Sequence, residues 1–440
     1  MTEPAKNPRA PLAVVGGGAA AAWLLILLKR ALGKLPPTVV IEPREHLGLG
    51  IAYSATLDVH RLNVTAEKMD LFPEPGVEEF AAWLAENTAH GPTDHVPRSL
   101  YGRYISELLA REMHGQPVEH RRTCATRVAM EGAAHLIELA DGEAIHADNV
   151  VLALGNPPSR RLSEGATARI VEDPFGASLA GQNEARRILV VGAGLTAIDA
   201  ILELEERAPG RHYTVVAPHP FFPPGDIATE TVEYEDQSYP PPSGLLKWAR
   251  DNRGPEAAPL CWFGPVDGLR SYVGAIWQSW TPAERATFLR HCARRWLHLR
   301  HRAAPQAARS IERIVDDGRL ALVAGRATIV EAGDQGVSVR LGTSEARFDS
   351  VINATGPDLN PRTQPLLSKL TQDGLAKPDP LGLGIAVDVE GRVLGGDAGG
   401  RLFALGTWTR GSLWEVVAVP HIRDAARRVV ASLERSLPAN

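Results

Sequence analysis

The chain has 440 residues, 44% of them hydrophobic, 22% charged and 6% aromatic, enough for at least two hydrophobic cores and too long for a small stapled module. Lys plus Arg number 47 against 52 Asp plus Glu, a net charge of −5, which argues against a general nucleic-acid or anionic-membrane binder. The three cysteines, Cys124, Cys261 and Cys292, form no CxxC pair, so a disulfide framework, a redox-active dithiol and a thiolate zinc site lose ground, and a reducing, cytoplasmic setting is expected.

The uncharged run PLAVVGGGAAAAWLLILL over 11–28 has the length of a membrane span. Three glycines split it into a strand near 12–15 and a helix reaching about Leu32, and no signal-peptide cleavage pattern follows. Gly16, Gly18 and Ala21 form G-x-G-x-x-A at that junction. Gly16 permits the tight turn, Gly18 lets backbone approach a pyrophosphate, and Ala21 allows close helix–sheet packing. The β-rich TVVIEP ends at Glu42, where a carboxylate can accept from a ribose hydroxyl. An adenine dinucleotide is the expected ligand.

A polar stretch over 117–140 reads as a hairpin excursion, and ADNVVLALGNPP at 147–158 as a strand returning toward the dinucleotide. RRILVVGAGLTAIDA then repeats the strand–turn–helix pattern, with Gly192, Gly194 and Ala197 in the same three roles. Its second strand, HYTVVAPH, ends in Ala217, Pro218 and His219 without a carboxylate. Repulsion against a 2′-phosphate is thereby removed, favouring NADP over NAD, with Arg211 or His219 as candidate phosphate partners. The alternative is that other side chains hold the adenosine end.

Between His219 and Arg309 lie five of the nine tryptophans, Trp248, Trp262, Trp277, Trp280 and Trp296, as a substrate pocket, a lid or a satellite core. Seven arginines and no acid occur over 285–309, suggesting an amphipathic helix with a basic face. The spacing of His291, His298 and His301 finds no carboxylate to complete a metal set. Glu67, Asp70, Glu230, Glu233, Glu235 and Asp236 are candidate acids or bases, with no firm catalytic role for any. A second polar stretch, 311–347, reads as another β excursion before FDSVINATGPDLNP at 348–361. A short strand over 402–405 and a helix from about Val419 close the chain.

Two dinucleotide sites suit a flavin that accepts hydride from a nicotinamide cofactor; without a CxxC pair, the dithiol route is disfavoured. The expected fold is α/β, with two Rossmann-like dinucleotide-binding domains, the second inserted in the first and carrying an aromatic-rich, mostly helical insertion. Residues 1–185 and 351–440 form the FAD-binding domain in this reading, and 186–350 the NAD(P)-binding domain, with its insertion at about 220–310.

The motifs LAVVGGGAAA, GLGIAYSATLDVHRLNVTAEKMDLFP (48–73), VPRSLYGRYI (96–105), VVGAGLTAIDA, NATGPDLNP and ALGTWTRGSLWEVVAVPHIR (404–423) together resemble the bacterial FAD/NAD(P)-binding family. That family is related to class B flavin monooxygenases, the ornithine and lysine N-hydroxylases and flavin-dependent urate hydroxylases. The resemblance implies that Gly16, Gly18, Ala21 and Glu42 hold FAD, with Tyr53, Leu62, Asn63, Val64 and Met69 near the flavin and Arg98 and Tyr101 in support. It implies that Gly192, Gly194, Leu195, Thr196 and Ala197 receive the nicotinamide cofactor, NADPH or NADH. Thr355 and Gly356 resemble the family's Ala-Thr-Gly strand end, and Gly406, Thr407, Arg410 and Gly411 its last flavin-side turn. The FxGxxxHxxxW signature of the class B hydroxylases is absent. The implied activity is an NADPH-dependent monooxygenase acting through a peroxyflavin on molecular oxygen and a small nitrogen-containing or heteroaromatic substrate, with no nucleic-acid or membrane partner. The alternatives are an NAD(P)H oxidoreductase without oxygen incorporation and a cofactor-binding regulatory or partner protein.

Overall fold

The computed structural model describes residues 9–70, 79–165, 167–234, 238–396 and 400–437. Leu71, Phe72 and Pro73 of the long motif, and the candidate acids Glu235 and Asp236, lie outside the described residues.

The fold is α/β with Rossmann-like elements. Strand Arg9–Val15 alternates its side chains between two cores: Leu12 and Val14 enter one, Ala10, Ala13 and Val15 the other. Burial on both faces is the condition that favours parallel pairing, and this strand runs parallel to Thr38–Ile41 on one side and Ala144–Leu152 on the other. Val118–Arg121 extends the sheet in parallel, Ala134–Leu139 and Ala125–Glu131 continue it antiparallel, and Leu402–Ala404 pairs with 150–152. The expected excursion over 117–140 is thus partly a sheet strand, because 118–121 pairs with Thr38–Ile41.

The apolar run that mimics a membrane span is a helix, Ala19–Leu32, buried continuously from Ala21 to Leu28. An all-round apolar helix needs cover on every side; here the sheet, the helix Arg98–Met113 and the closing helix Val419–Ser436 supply it. No helix among the described residues is long and apolar enough to cross a membrane.

A second sheet is entirely parallel, in the order Leu320–Ala324, His212–Ala217, Arg187–Val191, Ser350–Asn353, Ile170–Val171. Ile188 and Val190 face one core and Leu189 and Val191 another, repeating the alternation of the first sheet. Residues 170–171 and 351–353, expected in the first module, therefore pair here. Over 311–347 only the later part is β: Pro305–Asp316 is an amphipathic helix packed on the second sheet through Ala307, Ile311 and Ile314. An antiparallel three-stranded unit, Ala327–Gly333, Gly336–Leu341 and Ser344–Phe348, follows.

The segment between the second sheet's strands is mostly helical. Trp277, Trp280, Tyr234 and Phe288 form one aromatic core with Trp414, and Trp262 and Phe263 form a smaller one, with Trp248 and Trp296 packed against both. The tryptophans thus build a satellite core of their own.

Candidate cofactor cleft

Two glycine turns are built on one plan. Gly16, at φ +99°, donates its N–H to Ile41 O at 2.9 Å, and a Cβ placed there would sit 2.3 Å from Ala153 O. Gly192, at φ +111°, donates to Val216 O at 2.9 Å, and its Cβ would sit 2.2 Å from Ala354 O. Positive φ and backbone contact both demand glycine. Ala153 and Ala354 in turn donate to Val15 O and Val191 O, each at 2.8 Å; the two returning strands of the sequence echo are these two platforms.

Gly18 and Gly194 stand at the N-caps of their helices, and neither helix has a side-chain cap or an acidic residue in its first turn. By contrast, the helix Pro282–His291 carries a complete Thr281–Glu284 capping box. The uncapped ends leave N–H groups and the positive helix pole for an anion. Ala21 and Ala197 are buried where the helices meet their sheets.

Glu42 is buried and accepts from Gly17 N–H at 2.8 Å and Arg44 N–H at 3.1 Å. Gly17, the middle glycine, was not singled out by the spacing. The second turn has no such carboxylate, and Ala217, Pro218 and His219 line the main cleft there. Arg211 is not available to a phosphate. Fully buried, it donates to the carbonyls of Ala185, Leu204, Ala208, Gln182 and Asn183 and so caps the C-terminal end of helix Leu195–Arg207.

The cleft encloses about 1250 Å³. Of the residues singled out from sequence, Tyr53, Leu62, Asn63, Val64, Met69, Arg98, Gly194, Leu195, Thr196, Thr407 and Arg410 line it. Gly16, Gly18, Ala21, Glu42, Tyr101, Gly192, Ala197, Thr355, Gly356, Gly406 and Gly411 are not among its walls. Tyr101 is a support: its hydroxyl donates to Met69 O at 3.1 Å and its ring lies 4.8 Å from that of Tyr53. The exposed Thr355 donates its hydroxyl to Asn353 Oδ1, and Gly356 follows at φ +89°. Gly406, at φ +82°, delivers Thr407 to Asn156, while Gly411 packs against Asp379. Of the candidate acids among the described residues, Glu67, Asp70, Glu230 and Glu233 are not among the cleft's walls. Asp70 accepts from Phe80 N–H, Glu67 from Thr65, and Glu230 and Glu233 are exposed.

Buried ionic networks tie the cleft's walls together. His60 Nε2 is 2.9 Å from Glu203 Oε2, and Asp199 on the same helix pairs with Arg98 at 2.8 Å. Burial pulls the His60 imidazole down, but its bonds to Asp199 and Glu203 outweigh this and push it up to about 9. Across the cleft, Glu415 takes Trp296 Nε1–H at 3.0 Å, Arg300 at 3.0 Å and His421 at 2.9 Å. Burial opposes its ionisation, yet His421 and Arg300 hold the carboxyl at about 2. Trp277 Nε1–H donates to Gly411 O at 2.9 Å, fixing the aromatic segment to the 410–413 turn.

The expected single basic face does not form. The stretch breaks into the helices Pro282–His291, Ala293–Arg300 and Pro305–Asp316. Arg300 and Arg302 turn inward to Glu415 and to Asp226 and Asp267, because their buried charges require partners. Arg285 donates to Trp277 O. His298 and His301 line the cleft and His291 the aromatic segment; among the described residues no three His, Cys, Asp or Glu side chains gather as a metal site. Cys124, Cys261 and Cys292 are separate free thiols.

With this geometry in place, residues 13–157 match the profile of an FAD-NAD(P)-binding family. No curated protein matches significantly. Among solved structures, the chain is similar to the ornithine N-hydroxylase of Kutzneria sp. 744 (17% identity, 97% of this chain and 99% of that one, TM-score 0.65). It is also similar to L-lysine 6-monooxygenase from Pseudomonas syringae (19%, 98% and 100%, TM-score 0.64). The bacillithiol disulfide reductase of Bacillus cereus shares the fold less closely (14%, 97% and 99%, TM-score 0.55). These likenesses concern the fold.

Proposed function

We propose that the chain is an NADPH-dependent flavin monooxygenase that hydroxylates a small nitrogen-containing or heteroaromatic substrate. The observation that carries this reading is the pair of glycine turns on one plan, Gly16 over Ala153 and Gly192 over Ala354, with a cleft of about 1250 Å³ lined by the second turn and the flavin-side residues. We assign FAD to the first turn, with Glu42 for its ribose and the cluster from Tyr53 to Met69 beside its ring system. The nicotinamide cofactor goes to Gly192, Gly194, Leu195, Thr196 and Ala197, and the lack of a carboxylate at 217–219 favours NADPH. In this division 1–185 and 351–440 are the FAD-binding parts and 186–350 the NAD(P)-binding part, with strands Ile170–Val171 and Ser350–Asn353 going with the second sheet.

The residues present fit these groups: both helix ends are uncapped, and Glu42, with two backbone donors, keeps acceptor capacity for a hydroxyl. When bound, a flavin reduced by NADPH supplies the electrons for oxygen activation. The protein's share is to bind, orient and exclude water. Trp277 and Trp296 hold the 411–415 segment over the cleft through Gly411 and Glu415. The N-hydroxylase-like fold supports an amine or ring nitrogen as the acceptor.

The deciding experiment starts from purified protein with its FAD content measured. Reduction by NADPH, then reaction with ¹⁸O₂ and a panel of small amines and heteroaromatics, is expected to place ¹⁸O in one product. Reoxidation without label across the panel would assign an electron-passing oxidoreductase instead, and failure to bind FAD would leave a regulatory or partner role.

A further inference from the structure

We propose that Arg270 and Arg410, which line the cleft together with His301, bind the acidic group, carboxylate or phosphate, of a small-molecule ligand. Both arginines and His301 line the cleft. Arg410 comes from the turn after Gly406, and Arg270 and His301 come from the aromatic insertion, so the site exists only where these two parts meet.

The arginines are poorly satisfied from within. Arg410 makes no ion pair or hydrogen bond from its guanidinium among the described residues; it lies over the ring of Trp414 at 4.7 Å. The buried Nε of Arg270 has no hydrogen-bond partner; its ion pair with Asp267 Oδ1 is long, at 3.7 Å, and the other oxygen of that carboxylate accepts from Arg302 at 3.0 Å. Glu415, whose charge acts on Arg410, is already engaged by Arg300, His421 and Trp296. A guanidinium stays charged, and withdrawing it from water without an acceptor is costly. Burial lowers both arginines below their ordinary range, only partly offset by Asp267 at one and Glu415 at the other. The local field is visible at His301, which burial and the charges of Arg300, Arg410 and Arg270 hold down at about 4. It thus enters the site as a neutral imidazole at physiological pH. Two forked donors and a ring nitrogen around an open cleft are the chemistry that receives an oxyanion. The proposal deepens the flavoenzyme reading by assigning a charge to the ligand, and it rests on that reading for the ligand's place beside the flavin.

The anion has two sources, the 2′-phosphate of the coenzyme and an acidic group on the substrate. Wild type, Arg270→Gln, Arg410→Gln and the charge-keeping Arg410→Lys, each checked for FAD content and far-UV circular dichroism, would be titrated with benzoate, succinate and inorganic phosphate. Flavin absorbance and calorimetry give the affinities, and stopped-flow reduction gives half-saturation for NADPH and NADH. A tenfold or greater weakening of an acid probe in both Gln variants, milder in the Lys variant, with the NADPH to NADH ratio held within twofold, assigns the site to substrate. A tenfold or greater shift in that ratio assigns it to the 2′-phosphate. Changes below twofold in both readouts overturn the proposal. If the wild type binds no FAD, the flavoenzyme reading fails by itself, and calorimetry with phosphate still decides the anion site.

Discussion

His60 Nε2 and Glu203 Oε2 lie 2.9 Å apart, both buried, and join the segment before the helix Arg98–Met113 to the glycine helix of the second sheet. The folded imidazole, at about 9, stands above its ordinary 6.5. Its contribution is therefore complete below pH 6.5 and lost as pH rises through about 9. His60→Gln is expected to cost roughly 3 kcal/mol at pH 6 and much less at pH 10. Denaturant midpoints across that range check it; a gap independent of pH would refute the charged bridge.

Gly16→Ala and Gly192→Ala each force a Cβ onto a backbone carbonyl at positive φ. Each is expected to cost at least about 2 kcal/mol in melting experiments. Their ligand effects should separate. The first lowers FAD content, whereas the second keeps FAD and raises half-saturation for NADPH, and the reverse pattern would exchange the two assignments.

Glu415→Gln leaves Arg300, only 6% exposed, without its counter-charge. A loss of about 3–5 kcal/mol is expected, with faster hydrogen exchange over 411–421. The native carboxyl at about 2 lies below its ordinary 4.5. Its contribution is thus present above pH 4.5 and disappears as pH falls through about 2.

Arg211→Met should lower the melting temperature, since five carbonyls lose their donor, and leave the NADPH to NADH preference unchanged. His219→Ala, at the cleft, is expected to reduce that preference several-fold. Steady-state kinetics with both coenzymes tests the pair, and loss of preference in the Arg211 variant would restore it as a phosphate partner.

The glycine turns were legible because their constraint is local: positive φ and a missing Cβ are written in residue type. The same holds for the carboxylate at Glu42 and its lack at 217–219. Arg211 misled because sequence shows a cation beside a nucleotide turn but not the ring of carbonyls at a helix end that claims it. The run of seven arginines misled likewise. Its periodicity suggested one face, while the breaks at Cys292 and before Pro305 and the distant partners Glu415 and Asp226 divide it. Trp414 and Glu415 sat inside a quoted motif without a role, since Trp277, Trp296 and Arg300, which hold them in place, lie more than a hundred residues away. The β reading of 311–316 failed for the opposite reason: Ile311 and Ile314 have helical spacing, hidden by the polar residues around them.

The layer formed by helices Val273–Ser279 and Ala293–Arg300 has two unlike sides. Gly274, Gln278, Leu297 and His298 look into the cleft, while Val273, Trp277, Cys292 and Trp296 line an apolar chamber of about 190 Å³ behind it. Among the described residues Trp414 alone borders both spaces, and it stacks on Trp277 at 4.7 Å. Filling the cleft is therefore expected to change the surroundings of this stacked indole pair, and a titration followed by native tryptophan emission would read occupancy without any label.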